Sequence, residues 1–205
     1  MSEEVPNQAQ PEMAPAPPKP QKTVLNNALS AAWEFLKIII IALVIVLPIR
    51  YFLFQPFIVK GDSMVPNFHS GDYLIIDEIS YRFGEPKRGD VVVLKYPPDP
   101  AQKFIKRIIG LPGETVTIGN GTVSVTSNGK EVSLDEAYLP DSLKTAGNVR
   151  VTLKEDEYFV MGDNRDFSYD SRSWGILPKY DIVGKAAFRV LPLTNIGPIN
   201  QWHKK

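Results

Sequence analysis

The sequence predicts an all-β fold of antiparallel sheets carried behind one N-terminal transmembrane helix. Three observations lead there. An uncharged apolar run, Ile38 to Ile49, lies near the N-terminus. Short stretches rich in β-branched and aromatic residues come after it, separated by turn signals built on Gly, Asn and Asp. Between Phe57 and Lys205 no segment holds a long helical period.

Residues 1–28 are expected to be a disordered tail. Six of the 18 prolines fall within the first 20 positions, among Glu, Gln and Ala, and large apolar side chains are almost absent. Such a segment cannot bury a core. Residues 29–55 are expected to form the transmembrane helix. Spanning a bilayer takes roughly 20 mostly apolar residues, and Trp33 to Phe54 reaches that length. Glu34, Lys37 and Arg50 then fall near its ends, where long side chains snorkel, and Trp33, Tyr51 and Phe52 suit the interfaces. A core helix apolar all round would need a large protein around it. The chain continues as RYFLFQPF, with no small-x-small cleavage pattern, so the segment reads as an uncleaved anchor. Lys19, Lys22 and Lys37 lie on its N-terminal side, Arg50 and Lys60 on the other. This lysine bias favours a cytoplasmic N-terminus and an external 56–205.

Residues 56–205 read as β. The expected strands are Tyr73–Ile76, Val91–Leu94, Thr115–Ile118, Val123–Val125, Glu157–Val160 and Lys185–Val190. Gly119-Asn-Gly121 between two of them is a hairpin signal.

Composition limits the chemistry. Lys+Arg and Asp+Glu number 23 each, and a nucleic-acid binder normally carries a basic excess. The absence of cysteine removes disulfides, thiolate zinc sites and cysteine nucleophiles. Two histidines, His69 and His203, argue against an all-histidine metal site. No metal, cofactor or nucleic acid is expected.

Three segments could carry a reaction. Gly61-Asp-Ser-Met-Val-Pro66 sets Ser63 between a glycine that frees the backbone and a proline that restricts it. Alone, it reads as an ordinary turn serine. In Lys103–Gly113, alternation from Phe104 places Lys106 on the same face as Phe104 and Ile108, with Arg107 on the other. Burial there would lower the lysine pKa, although an edge strand protected by a lysine fits equally well. Gly162–Gly175 packs charges of both signs, three serines and Trp174 directly behind an apolar strand, as an internally bonded loop would.

Together these segments resemble the bacterial type I signal peptidases. Ser63-Met-Val-Pro66, Arg88-Gly-Asp-Val-Val92, Lys106-Arg-Ile-Ile-Gly-Leu-Pro-Gly113 and Gly162-Asp-Asn-Arg-Asp-Phe-Ser-Tyr-Asp-Ser-Arg172 match that family's boxes in order, over about Val44 to Ile199. The resemblance implies a β-barrel-like catalytic domain with a small inserted β-subdomain at about 113–157. It implies a single-pass protein of the bacterial cytoplasmic membrane, in contact with lipid, that removes signal peptides from secretory preproteins. Ser63 matches the nucleophile and Lys106 the general base. Ser168 matches the serine that orients the lysine; Asp163, Asp170 and Arg172 match the bracing charges. Phe57, Val59, Met64, Phe68, Leu74, Phe104 and Ile105 match pocket positions for small P1 and P3 side chains. Two positions depart from the pattern. Gly61 stands where some members have a serine that assists the oxyanion hole, and Asn67 replaces the usual threonine. Three rival readings are weaker. A self-cleaving repressor domain is soluble, a Ser–His peptidase would need histidine at the lysine box, and an inactive binding module should lack a site residue.

Overall fold

The computed structural model describes residues 23–48 and 54–199, so most of the expected tail lies outside the described residues. The chain divides into two units, 1–45 and 46–205.

The first unit holds most of helix α1, Thr23–Pro48. No proline interrupts Thr23–Leu47, and alanine, leucine and isoleucine dominate it. Within it, Asn26–Val46 is long and apolar enough to cross a membrane, and its large apolar side chains are exposed. The helix starts earlier and ends earlier than the expected 29–55. Pro48, which has no N–H to donate, is its last residue. Glu34 and Lys37 therefore fall near its middle, not its end. There they pair with each other at 2.7 Å, which lowers the cost of two charges on an apolar surface.

The second unit contains an open eight-stranded antiparallel sheet and a separate four-stranded one. The larger sheet comprises β1 (Phe54–Ile58), β2 (Tyr73–Asp77), β3 (Val91–Tyr96), β4 (Asp99–Gly110), β9 (Glu157–Met161), β10 (Leu177–Pro178), β11 (Ile182–Leu191) and β12 (Gly197–Pro198). Its order is β1-β2-β11-β3-β4-β9-β10, with β12 beside β11. The smaller sheet, ordered β7-β6-β5-β8, is built from β5 (Thr115–Gly119), β6 (Thr122–Ser127), β7 (Lys130–Ser133) and β8 (Val149–Thr152). Short helices α2 (Ser80–Phe83) and α3 (Ser171–Trp174) complete the unit.

Burial tracks the sequence pattern. β5 and β6 alternate, with Val116, Ile118, Val123 and Val125 facing inward and threonines outward. β3 and β9 are buried on both faces and read as continuous apolar runs. β3 thus feeds two cores: Val91 and Val93 pack with Val59, Met64, Phe68 and Leu74, while Val92 and Leu94 pack with Ile108 and Val160. β1 is a strand because its register with β2, Phe54 opposite Asp77 through Ile58 opposite Tyr73, satisfies its backbone. The sequence placed Phe54 and Gln55 in the transmembrane helix, since composition does not distinguish lipid from a protein core.

Candidate active site

Ser63 sits on a tight turn after β1. Gly61 opens it with φ +81, a conformation that favours glycine. Val65 N–H donates to the Asp62 carbonyl, and the Asn67 and Phe68 N–H groups donate to the Met64 carbonyl. Met64 and Phe68 are buried in the core with Leu74, each contributing roughly 1.5–3 kcal/mol. Rooted in the core just beyond Ser63, these two side chains hold it more firmly than a surface turn would.

Lys106 lies in the inner half of β4, whose outer half, Asp99–Lys103, is exposed. Only 3% of the lysine is accessible. Its Nζ donates to Ser63 Oγ at 2.8 Å and to the Ile105 carbonyl at 3.0 Å. Burial lowers its pKa from 10.5 to about 8, against the opposing pull of the Asp170 and Asp163 carboxylates. Burial prevails because each carboxylate already faces an arginine, Arg172 and Arg107 respectively. The Arg88–Val92 box fastens this strand from behind: Gly89 N–H donates to the Ile108 carbonyl, and Ile108 N–H to that of Asp90.

The Gly162–Arg172 loop closes the site. Asp170 caps α3 and accepts from Arg172 Nε and Nη2, both at 2.9 Å, and from Gly162 N–H at 3.0 Å. Burial pushes the Asp170 pKa up, but Arg172 and the Gly162 N–H outweigh it and hold the carboxyl below its ordinary value. Asn164 binds the turn directly, through its N–H to the Ser63 carbonyl and its Nδ2 to the Asp62 carbonyl, each at 3.0 Å. Gly162 must be glycine: a Cβ there would collide with the Ser63 carbonyl and the Ser168 side chain. Ser168 Oγ is buried beside it and helps keep Asp170 ionised. Among the described residues it makes no hydrogen bond of good geometry and none to Lys106, whose amine is held by Ser63 and Ile105 instead.

A groove of about 690 Å³ runs over Ser63 and Lys106 between residues 57–63 and 101–106. β1 and β4 are separated by three strands in the sheet yet flank one groove, so the sheet must curl. Of the expected pocket residues, Phe57, Phe104 and Ile105 line it. Val59, Met64, Phe68 and Leu74 are buried in the core beneath. Phe167, 79% exposed, and Tyr169 form a wall that the sequence did not indicate. They alternate with the inward-facing Ser168 and Asp170, a period-2 signal present in the sequence.

The partners of the bracing charges also escaped the sequence reading. Arg107, 2% exposed, grips Asp163 through Nε–Oδ1 at 2.8 Å and Nη2–Oδ2 at 2.6 Å, and donates to the Gly89 carbonyl. A charged residue on the other buried face of Lys106's own strand was the available clue. Arg165 pairs with Glu136 and donates to the Tyr138 hydroxyl. Glu136 and Tyr138 come from the segment between β7 and β8, and nothing local in the sequence marks them.

Comparison with known proteins shows the family of the chain. The family described as "Signal peptidase, peptidase S26" matches residues 32–191, so the chain belongs to that family. The probable signal peptidase I-1 of Synechocystis sp. is 35% identical over 189 residues, covering 86% of this chain and 93% of the relative. Signal peptidase I of Bacillus licheniformis is 40% identical over 184 residues, covering 83% and 95%. A crystal structure of a signal peptidase I from Enterococcus faecalis aligns with 50% of this chain and 97% of its own, at 30% identity and TM-score 0.43.

Proposed function

We propose that this chain is a membrane-bound serine endopeptidase that removes signal peptides from exported preproteins, with Ser63 as nucleophile and Lys106 as general base. The 2.8 Å bond between Lys106 Nζ and Ser63 Oγ in a buried setting carries this reading. With a pKa of about 8, roughly one lysine in ten is neutral at pH 7, against about one in a few thousand at the ordinary value. The neutral amine takes the Ser63 proton as Oγ attacks the scissile carbonyl. The Ser63 N–H, which has no partner among the described residues, is available to the oxyanion. Gly61 offers no side-chain donor there. Lys106 then protonates the leaving amine and activates the water that cleaves the ester. The substrate lies extended in the groove, where the edge of β1 and the stretch of β4 before Arg107, which β9 does not pair, offer backbone partners and Phe57, Phe104 and Ile105 favour small apolar side chains.

Asp163, Asp170 and Arg172 brace the loop beside the dyad, and Ser168 completes its packing. Val59, Met64, Phe68 and Leu74 act on the pocket from beneath, by fixing its floor. The apolar α1 anchors the enzyme where membrane-bound preproteins arrive. Residues 56–205 face outward across the bacterial cytoplasmic membrane from a cytoplasmic N-terminus, with the smaller sheet as an inserted subdomain.

The direct test incubates the detergent-solubilised protein with a preprotein and maps the cut. Cleavage after a small P1 residue, with a small aliphatic P3, is expected; efficient cutting after Lys or Phe would refute the pocket reading. Protease added to intact spheroplasts should digest the domain beyond residue 56, and protection there would reverse the orientation.

A further inference from the structure

Asn67 stands four residues after Ser63 on the same turn. Its Nδ2 donates to Asp163 Oδ2 at 2.8 Å and to the Tyr138 carbonyl at 2.9 Å, acceptors on two other segments. Its own carbonyl accepts from Arg189 Nη2 on β11. Asp163 is gripped in turn by Arg107, the chain neighbour of Lys106. A closed path therefore runs from Ser63 along the turn to Asn67, across to Asp163 and Arg107, and back along β4 to Lys106. The Lys106–Ser63 bond completes it. A branch reaches Tyr138, whose ring lies 4.1 Å from the Arg107 guanidinium and whose hydroxyl donates to Glu136 and accepts from Arg165.

We propose that Asn67 is a positioning residue for the reaction: its two-donor amide ties the nucleophile turn to Asp163 and to the Glu136–Tyr138 strap, and so fixes where Ser63 Oγ stands relative to Lys106 Nζ. The proposal rests on the dyad reading above. Other holds on the turn do not duplicate this one. Met64 and Phe68 root it in the core, and Asn164 fixes the Ser63 carbonyl. Asn67 reaches the ion pair that borders the base itself. A side chain with one donor can satisfy Asp163 or the Tyr138 carbonyl, not both. Misplacing reacting atoms by about 1 Å can cost roughly a hundredfold in rate, so a slack turn should be read in the chemical step.

The test uses the full chain in detergent and a synthetic signal-peptide substrate with Ala at P1 and P3, and measures kcat, KM and Tm. Wild type should cleave and Ser63→Ala should not; failure here sinks the dyad reading and leaves Asn67 out of the comparison. With cleavage established, Asn67→Ala should lose roughly ten- to a hundredfold in kcat, with KM near the wild-type value and Tm lowered by only several degrees, so that the protein stays fully folded at the assay temperature. Asn67→Thr, with one donor, should fall between. Equal kcat in all three, a loss carried in KM, or a loss that tracks the fraction unfolded at the assay temperature would overturn the proposal. Should the Ala variant not fold, wild-type kcat in Asn67→Thr would overturn it alone.

Discussion

Lys106→Arg should lose activity by roughly a thousandfold or more, about as much as a general base contributes. The substitution keeps the positive charge, but a guanidinium stays protonated at any usable pH and cannot accept the Ser63 proton. Because the lysine is buried, the larger arginine can also strain its surroundings, so Lys106→Met is the companion variant. It should be as inactive and at least as stable at pH 7. The depressed pKa sets the sign. Between about 8 in the folded state and 10.5 unfolded, the unfolded chain binds more protons, so wild-type stability rises with pH across that window. Below it the folded protein carries a charge that its site disfavours. Methionine removes that cost and flattens this part of the profile. A lysine with only a structural role gives the reverse: arginine is tolerated, and methionine costs stability but not chemistry.

Asp163→Ala should have the largest effect on stability. It strips the carboxylate from a bidentate pair whose members are 0% and 2% exposed. The Arg107 charge is then left buried with the Gly89 carbonyl and the Tyr138 ring. Breaking such a pair on one side costs about 3–5 kcal/mol. For a chain of this size that lowers Tm by about 6–20 °C. Adding Arg107→Met should recover much of the loss, since the unpaired charge goes with it. A single variant that melts like wild type would mean that the pair is not held as the structure has it.

Much of this molecule can be read from local pattern, and the rest cannot for identifiable reasons. Tyr73–Ile76, Val91–Leu94 and Thr115–Ile118 were legible because β-branched runs between glycine turns have few other uses. Ser63 and Lys106 were marked by their motifs, and Lys106 also by its place on an apolar face. β1 was not legible: Phe-Gln-Pro-Phe-Ile is greasy enough to extend a transmembrane segment, and its strand identity comes from pairing with β2. β7 and β8 are short, half-polar and largely exposed, so their alternation is faint. Asn67 was visible only as a departure from a family pattern. Its meaning depends on Asp163, 96 residues away, and on Tyr138, 71 away. The Ser168–Lys106 bond expected from the resemblance is not formed here: the Ser168 side chain lies against Gly162, and Lys106 is held by Ser63 and the Ile105 carbonyl.

The central claim is that a buried, neutral Lys106 is the base. Its most direct test is the pH dependence of kcat/KM for the wild-type protein on a single signal-peptide substrate, from about pH 6 to 10. The free-enzyme profile should rise about tenfold per pH unit on the acid side and level off above an apparent pKa of about 8. A profile flat across that range, or one still climbing toward the ordinary lysine value of 10.5, would contradict it.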